Sequence, residues 1–248
     1  GVTVGIIDSG IQHSHPYFSQ VTVHDARDWV LDDGNPDFFP EDTGCGHGVN
    51  VAGIVSGSST YQGRVIKGNS FKSDLTIERI FDASCTRRGP NEDTNAIWNE
   101  ILDPDNDGNF NEPSSADISS NSWGDDGNYG DYNSKSKQVD RVVKGELSNG
   151  KEITVVMSAG NNGNNADPRV TPPGTAKNSI TVGSIADFRN SSSQSQGGVA
   201  YDSNNLYVMS SSSRGTDISG RVKPDILAPG SQITTSALSS SYASVEGT

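Results

Sequence analysis

Two stretches of this sequence admit few folds. Val2-Thr3-Val4-Gly5-Ile6-Ile7 is a short apolar run that stops at Asp8, followed by Ser9-Gly10. Ile153-Thr154-Val155-Val156-Met157 repeats the pattern, running into Ser158-Ala159-Gly160-Asn161. A strand apolar on both faces needs cover on both faces, which is the position of a central strand in a parallel sheet. Further strands read around Asp74–Phe81, Asp117–Gly124, Ser179–Gly183 and Arg221–Gly230. Between them fall helical patterns: one starting at His47, one near Thr94–Leu102 with Ile97, Trp98 and Ile101 on one face, and one over Ser136–Leu147. Residues 25–45 read as an acidic surface loop and 190–213 as an exposed serine-rich loop. Strand and helix alternate along the whole chain with no internal repeat. The expected fold is α/β: one domain over residues 1–248, with a central, mostly parallel twisted sheet flanked by helices.

A formal net charge of −13 argues against nucleic acid or an anionic membrane as partner. No apolar run reaches the length of a membrane-spanning helix. Cys45 and Cys85 allow one disulfide or two free thiols, and sequence does not choose between them.

In parallel sheets, ligands bind beyond the carboxyl ends of the strands. Asp8 and Asn161 stand at such ends, although each also suits an ordinary turn. His47 lies between Gly46 and Gly48, at the mouth of the apolar run Val49–Val55. The glycines remove bulk on both sides of the ring, and a helix start holds it rigidly, as a general base requires. A capping or core histidine is the plainer alternative. Asn161 can aim an amide N–H at a developing oxyanion, and the small residues Ser158, Ala159 and Gly160 leave floor space for a substrate side chain. His13 and His15, with Asp8 close by, suggest a metal-dependent hydrolase instead, although the later strand ends offer no histidine to complete a site. Asp103, Asp105, Asp107 and Asn109 alternate around Gly108, the spacing of the first half of a calcium loop. Ser114 stands where the usual bidentate glutamate belongs, and Glu112 substitutes for it only imperfectly. A calcium loop and a plain acidic loop both fit.

Taken in order, Asp8-Ser9-Gly10, His47-Gly48, Ser122-Trp123-Gly124, Ser158-Ala159-Gly160-Asn161 and Lys223-Pro224-Asp225-Ile226-Leu227-Ala228-Pro229-Gly230 resemble the subtilisin-like serine proteases over the full chain. The resemblance implies that Asp8 orients the imidazole, His47 is the general base, and Asn161 donates to the oxyanion. It implies that Ser122, Trp123 and Gly124 pair with an extended polypeptide substrate, and that Ser158, Ala159 and Gly160 line the pocket for the residue before the cut. It makes His15-Pro16 structural and predicts a cis peptide at Pro172–Pro173. Val49, Asn50 and Trp123 depart from the usual residues at their positions. In the family, Gly-Thr is followed directly by the nucleophilic serine, whereas this sequence ends at Thr248. The expectation is a secreted or cell-surface serine endopeptidase with structural calcium, whose nucleophile lies just beyond this chain. The fragment alone is then inert, and its further partners are a propeptide or a second chain carrying the missing segment. A catalytically inactive, peptide-binding relative is the alternative.

Overall fold

The computed structural model describes residues 1–30, 44–89, 95–187 and 206–248. Its strands are β1 (Thr3–Asp8), β2 (Val23–Asp28), β3 (Ser58–Tyr61), β4 (Arg64–Lys67), β5 (Asp74–Arg79), β6 (Ile118–Asn121) and β7 (Thr154–Ser158). There follow β8 (Ile180–Asp187), β9 (Leu206–Val208), β10 (Gly215–Thr216), β11 (Val222–Lys223), β12 (Ile226–Pro229), β13 (Ile233–Ala237) and β14 (Ser241–Val245). The helices are α1 (His47–Ser56), α2 (Ala96–Leu102) and α3 (Ser134–Val143).

The main sheet has the order β12-β8-β7-β6-β1-β5-β2, with β9 paired to β8. Every pairing in that order is parallel, and only β9 runs antiparallel. The sheet is thus the mostly parallel one that the two buried runs demand. After β1 the chain builds β2 and β5 on one side, then crosses to build β6, β7 and β8 on the other. The crevice beyond β1 and β6 is therefore the switch point, where open α/β sheets bind ligands.

Alternation along β1 feeds a core on each face. Val4 and Ile6 pack with Val49 and Ala52 of α1 and with Leu75 and Ile77 of β5. Ile7 points the other way, into a cluster with Trp98 and Ile101 of α2, Val139 and Val142 of α3, and Val155 and Met157 of β7. Helix α1 thus covers one face of the sheet, and α2 and α3 cover the other.

Several boundaries differ from the sequence reading. Residues 25–28 form the end of β2, not a loop, because Ala26 and Asp28 are buried and Arg27 sits beside Glu78 of β5. Residues 31–43 of that expected loop lie outside the described residues, as do 190–205 of the serine-rich one. Residues 206–208 form β9. Helix α3 starts earlier than expected because Asn133 caps it, its Oδ1 accepting from the N–H groups of Lys135 and Ser136. It ends earlier because Gly145 turns the chain at φ 68°. The β3–β4 and β13–β14 hairpins were not expected at all. Pro172–Pro173 is cis, as predicted, and so is Lys223–Pro224.

Candidate active site

Asp8 ends β1 with its side chain 1% exposed, whereas the His47 ring, at the first residue of α1, is 49% exposed. The His47 Nδ1 lies 2.8 Å from Asp8 Oδ1 and 3.0 Å from Oδ2. Asp8 Oδ1 also accepts the Ser9 N–H at 2.7 Å, which fixes the carboxylate plane. Ser9 Oγ in turn accepts the Gly48 N–H at 2.8 Å, tying the strand end to the helix start. Gly48 allows this approach: a Cβ there would lie 2.1 Å from the Gly10 carbonyl oxygen. A buried carboxylate on Nδ1 leaves Nε2 as the nitrogen that faces the cleft.

A cavity of about 380 Å³ opens before this pair, lined in part by Ser122, Trp123, Gly124, Ser158, Gly160 and Asn161. Two of its walls are backbone segments. Ser122, Trp123 and Gly124 follow β6, and their N–H groups make no hydrogen bond among the described residues. The Trp123 indole donates to Asn121 Oδ1 at 3.3 Å, and the Arg87 guanidinium lies 5.1 Å from the ring centroid. The facing wall is Ser158 and Gly160. Ala159, expected beside them, is fully buried, and its side chain is not part of the cavity lining. Thr171 is one of the lining residues that sequence reading missed, with Phe81, Asp126 and Asn162. Its Oγ1 sits between the walls, 2.4 Å from where a Gly124 Cβ would be and 3.1 Å from a Gly160 Cβ. No local pattern marks it, since its position depends on the turn through Pro172–Pro173.

Asn161 lies across the cavity. Its Oδ1 accepts from both the N–H and the hydroxyl of Thr248, each at 3.2 Å. With the carbonyl end of the amide held so, Nδ2 is the end left to donate. The Gly160 N–H donates to Thr248 Oγ1 at 3.2 Å, which places Thr248 inside the same site.

The disulfide question is resolved: Cys45 and Cys85 are bonded, and both line the cavity. The metal-hydrolase alternative loses its ligand. His15 is fully buried, its Nδ1 accepts the Tyr17 N–H at 3.0 Å, and its Nε2 donates to the Ser241 carbonyl at 2.8 Å. Neither ring nitrogen keeps a lone pair for a metal.

The acidic loop after α2 folds as a cluster. One carboxylate oxygen from each of Asp103, Asp105, Asp107 and Glu112 lies within 4.8 Å of the others. Asp103 Oδ1 and Oδ2 accept the N–H groups of Asp107 and Gly108, which curls the loop around the carboxylates. Glu112 is thus the fourth acid, although it is two positions short of the expected one. Its Oε1 is buried without a hydrogen-bond partner among the described residues. The Asn109 side chain accepts from the Asn111 N–H at 3.3 Å.

The chain is 31% identical over 243 residues to serine protease AprX of Bacillus subtilis, covering 98% of this chain and 49% of that protein. It is 32% identical over 196 residues to subtilisin-like protease 2 of Pseudogymnoascus destructans, covering 77% of this chain and 40% of that one. The chain therefore spans about half the length, or less, of the curated relatives it matches. The solved structure of Sphericase superposes over 100% of this chain and 72% of its own with a TM-score of 0.72, at 22% identity, which is a likeness of fold. The subtilase family model matches residues 1–248 without a break, and the chain belongs to that family.

Proposed function

We propose that the protein of which this chain is part is a serine endopeptidase, and the observation that carries the reading is the buried Asp8 carboxylate on His47 Nδ1. In this reading a substrate polypeptide lies extended along Ser122–Gly124, using the N–H groups there, which make no hydrogen bond among the described residues, as an added strand would. The side chain before the scissile bond enters between Gly124 and Gly160, with Thr171 as its floor. The attacking hydroxyl belongs to the residue that follows Thr248, whose seat beside Asn161 supports that assignment.

His47 Nε2 takes the hydroxyl proton as the oxygen attacks the carbonyl carbon, and Asp8 stabilises the imidazolium that results. The carbonyl oxygen becomes an oxyanion and accepts from Asn161 Nδ2. Nε2 then returns the proton to the leaving amine, the C–N bond breaks, and an acyl-enzyme remains. Water repeats the sequence and releases the acid.

The reading extends to a calcium ion held by Asp103, Asp105, Asp107 and Glu112, with Asn109 beside them. Such an ion offsets about half the charge of four clustered carboxylates and stiffens the loop. It also extends to a secreted or cell-surface setting, supported by the Cys45–Cys85 bond, since disulfides persist in oxidising compartments. No helix among the described residues is long and apolar enough to cross a membrane. A propeptide paired along the same edge is compatible with this reading.

The test is hydrolysis of an internally quenched peptide by the parent protein and by its His47→Ala variant. Cleavage by the first and its loss in a folded second supports the reading. No cleavage across a varied peptide library overturns it in favour of a peptide-binding relative.

A further inference from the structure

The notch between Gly124 and Gly160 has no side chain on either wall, and the atoms that border it are mostly polar. A Cβ on Gly160 would lie 3.1 Å from Thr171 Oγ1, 3.2 Å from Ser213 Oγ and 3.6 Å from Asn162 Nδ2. A Cβ on Gly124 would lie 2.4 Å from the same Thr171 oxygen and 3.3 Å from the Pro172 carbonyl oxygen. Thr171 is only 3% exposed and lines the cavity, and its hydroxyl makes no hydrogen bond among the described residues. Ser158, at the end of β7, lines the cavity with a hydroxyl in the same condition.

The notch is held in shape from outside. The Pro172 carbonyl accepts the Asp125 N–H at 2.8 Å, which ties the floor to the Gly124 wall. Asn162 Oδ1 accepts from Asn165 Nδ2 at 2.9 Å, and the Asn162 N–H donates to Ser213 Oγ at 3.0 Å. Nδ2 is thus the end of the Asn162 amide left for a ligand. An apolar side chain filling such a pocket leaves these polar atoms without partners, a cost that one with its own donor and acceptor avoids. A carboxamide has both: its oxygen accepts from Asn162 Nδ2, and its NH₂ donates to Thr171 Oγ1. A cationic side chain brings only donors and meets the Asn162 Nδ2 donor. A carboxylate faces Asp8 and Asp126, and no described lysine or arginine lines the cavity to offset them.

We propose that the side chain before the scissile bond is a carboxamide, glutamine or asparagine, held by the Thr171 hydroxyl and Asn162 Nδ2. The inference rests on the peptidase reading for cleavage, but not for which side chain the notch holds. Thr171→Val keeps the shape of the floor and removes its hydroxyl. Asn162→Ala removes the facing donor and leaves the floor intact.

The test uses peptide p-nitroanilides identical except for the last residue, since the chromophore is released only when the bond after that residue breaks. Glutamine, asparagine, methionine, leucine, glutamate and lysine are compared by kcat/KM with the parent protein. Glutamine or asparagine should exceed each of the other four by about fivefold or more. In folded Thr171→Val and Asn162→Ala, checked by circular dichroism, the ratio of glutamine to methionine should fall by a similar factor. A smaller preference in the parent protein, or a preference for any of the other four, overturns the inference while the peptidase reading stands. So does an unchanged ratio in both variants; where one does not fold, the other decides. If no substrate is cleaved, the peptidase reading falls and calorimetry with acetylated peptides ending in glutamine or methionine decides the notch. Tighter binding of the glutamine peptide supports the assignment, and equal or weaker binding overturns it.

Discussion

At the scale of single residues, the site depends on two hydrogen bonds that set which atoms face the cleft. The Asp8 carboxylate holds His47 Nδ1 as donor, which makes Nε2 the proton acceptor. In Asp8→Asn, the amide keeps the shape but can present its own N–H to Nδ1, which favours the wrong tautomer. Steady-state kinetics should show kcat reduced by about 10⁴-fold with the fold intact. The Asn161 amide is oriented in the same manner by Thr248, through Oδ1. In the proposed mechanism the bond that Asn161 donates forms only as the oxyanion develops, so Asn161→Ala should lower kcat by about 10²–10³-fold with KM little changed. Both positions stand out in the sequence, Asp8 because it closes a buried strand and Asn161 because it follows one, directly after Gly160. Thr171 does not, because its place between Gly124 and Gly160 is set by a turn distant from either wall. Ala159 is fully buried between Ser158 and Gly160, a difference that a motif naming residues in a row does not reveal.

At the scale of elements, apolar runs were easy to read and charged strands were not. β1 and β7 announce themselves, whereas β2 (Val-His-Asp-Ala-Arg-Asp) reads as a loop until its partner is known. β5 lies alongside it and puts Glu78 beside Arg27, so charge is buried where sequence patterns expect solvent. Glu78 is fully buried, with one oxygen accepting from the Trp29 indole at 2.6 Å and the other without a partner. Burial first, and then the neighbouring carboxylates of Glu100 and Asp25, push its pKa well above the ordinary range. Burial likewise raises those two groups. The sign of the linkage follows. The folded state holds this proton more tightly than the unfolded chain does, so the stabilisation is complete below the ordinary glutamate range. It is lost as pH rises toward the folded pKa. Thermal melts should therefore show stability falling from mildly acidic to neutral pH. Glu78→Gln keeps an acceptor for Trp29 without the charge; it should flatten that fall and raise Tm at neutral pH while leaving it unchanged at pH 4. A lower Tm at both pH values would contradict the assignment.

At the scale of the whole molecule, the sheet order brings the ends of β1 and β6 together as the crevice, and α1 delivers His47 to its edge. The alternation of strand and helix was enough to anticipate this architecture. The β3–β4 and β13–β14 hairpins were hidden because they are short and polar and gain their stability by docking. Thr235 Oγ1 and Ser236 Oγ donate to the Asn50 and Val49 carbonyls of α1, so β13 braces the helix that carries His47. The acidic loop acts on the same scale. Chelation of calcium should lower Tm by roughly 5–15 °C, and Asp105→Asn with Asp107→Asn should abolish that response. The central claim is that Asp8, His47 and Asn161 surround a reactive hydroxyl supplied by the residue after Thr248. Labelling the parent protein with a fluorophosphonate, followed by peptide mass spectrometry of the adduct, tests it directly. The account predicts one adduct, on a serine next to Thr248, that disappears in His47→Ala. No adduct, or one on another serine that persists without His47, would contradict it.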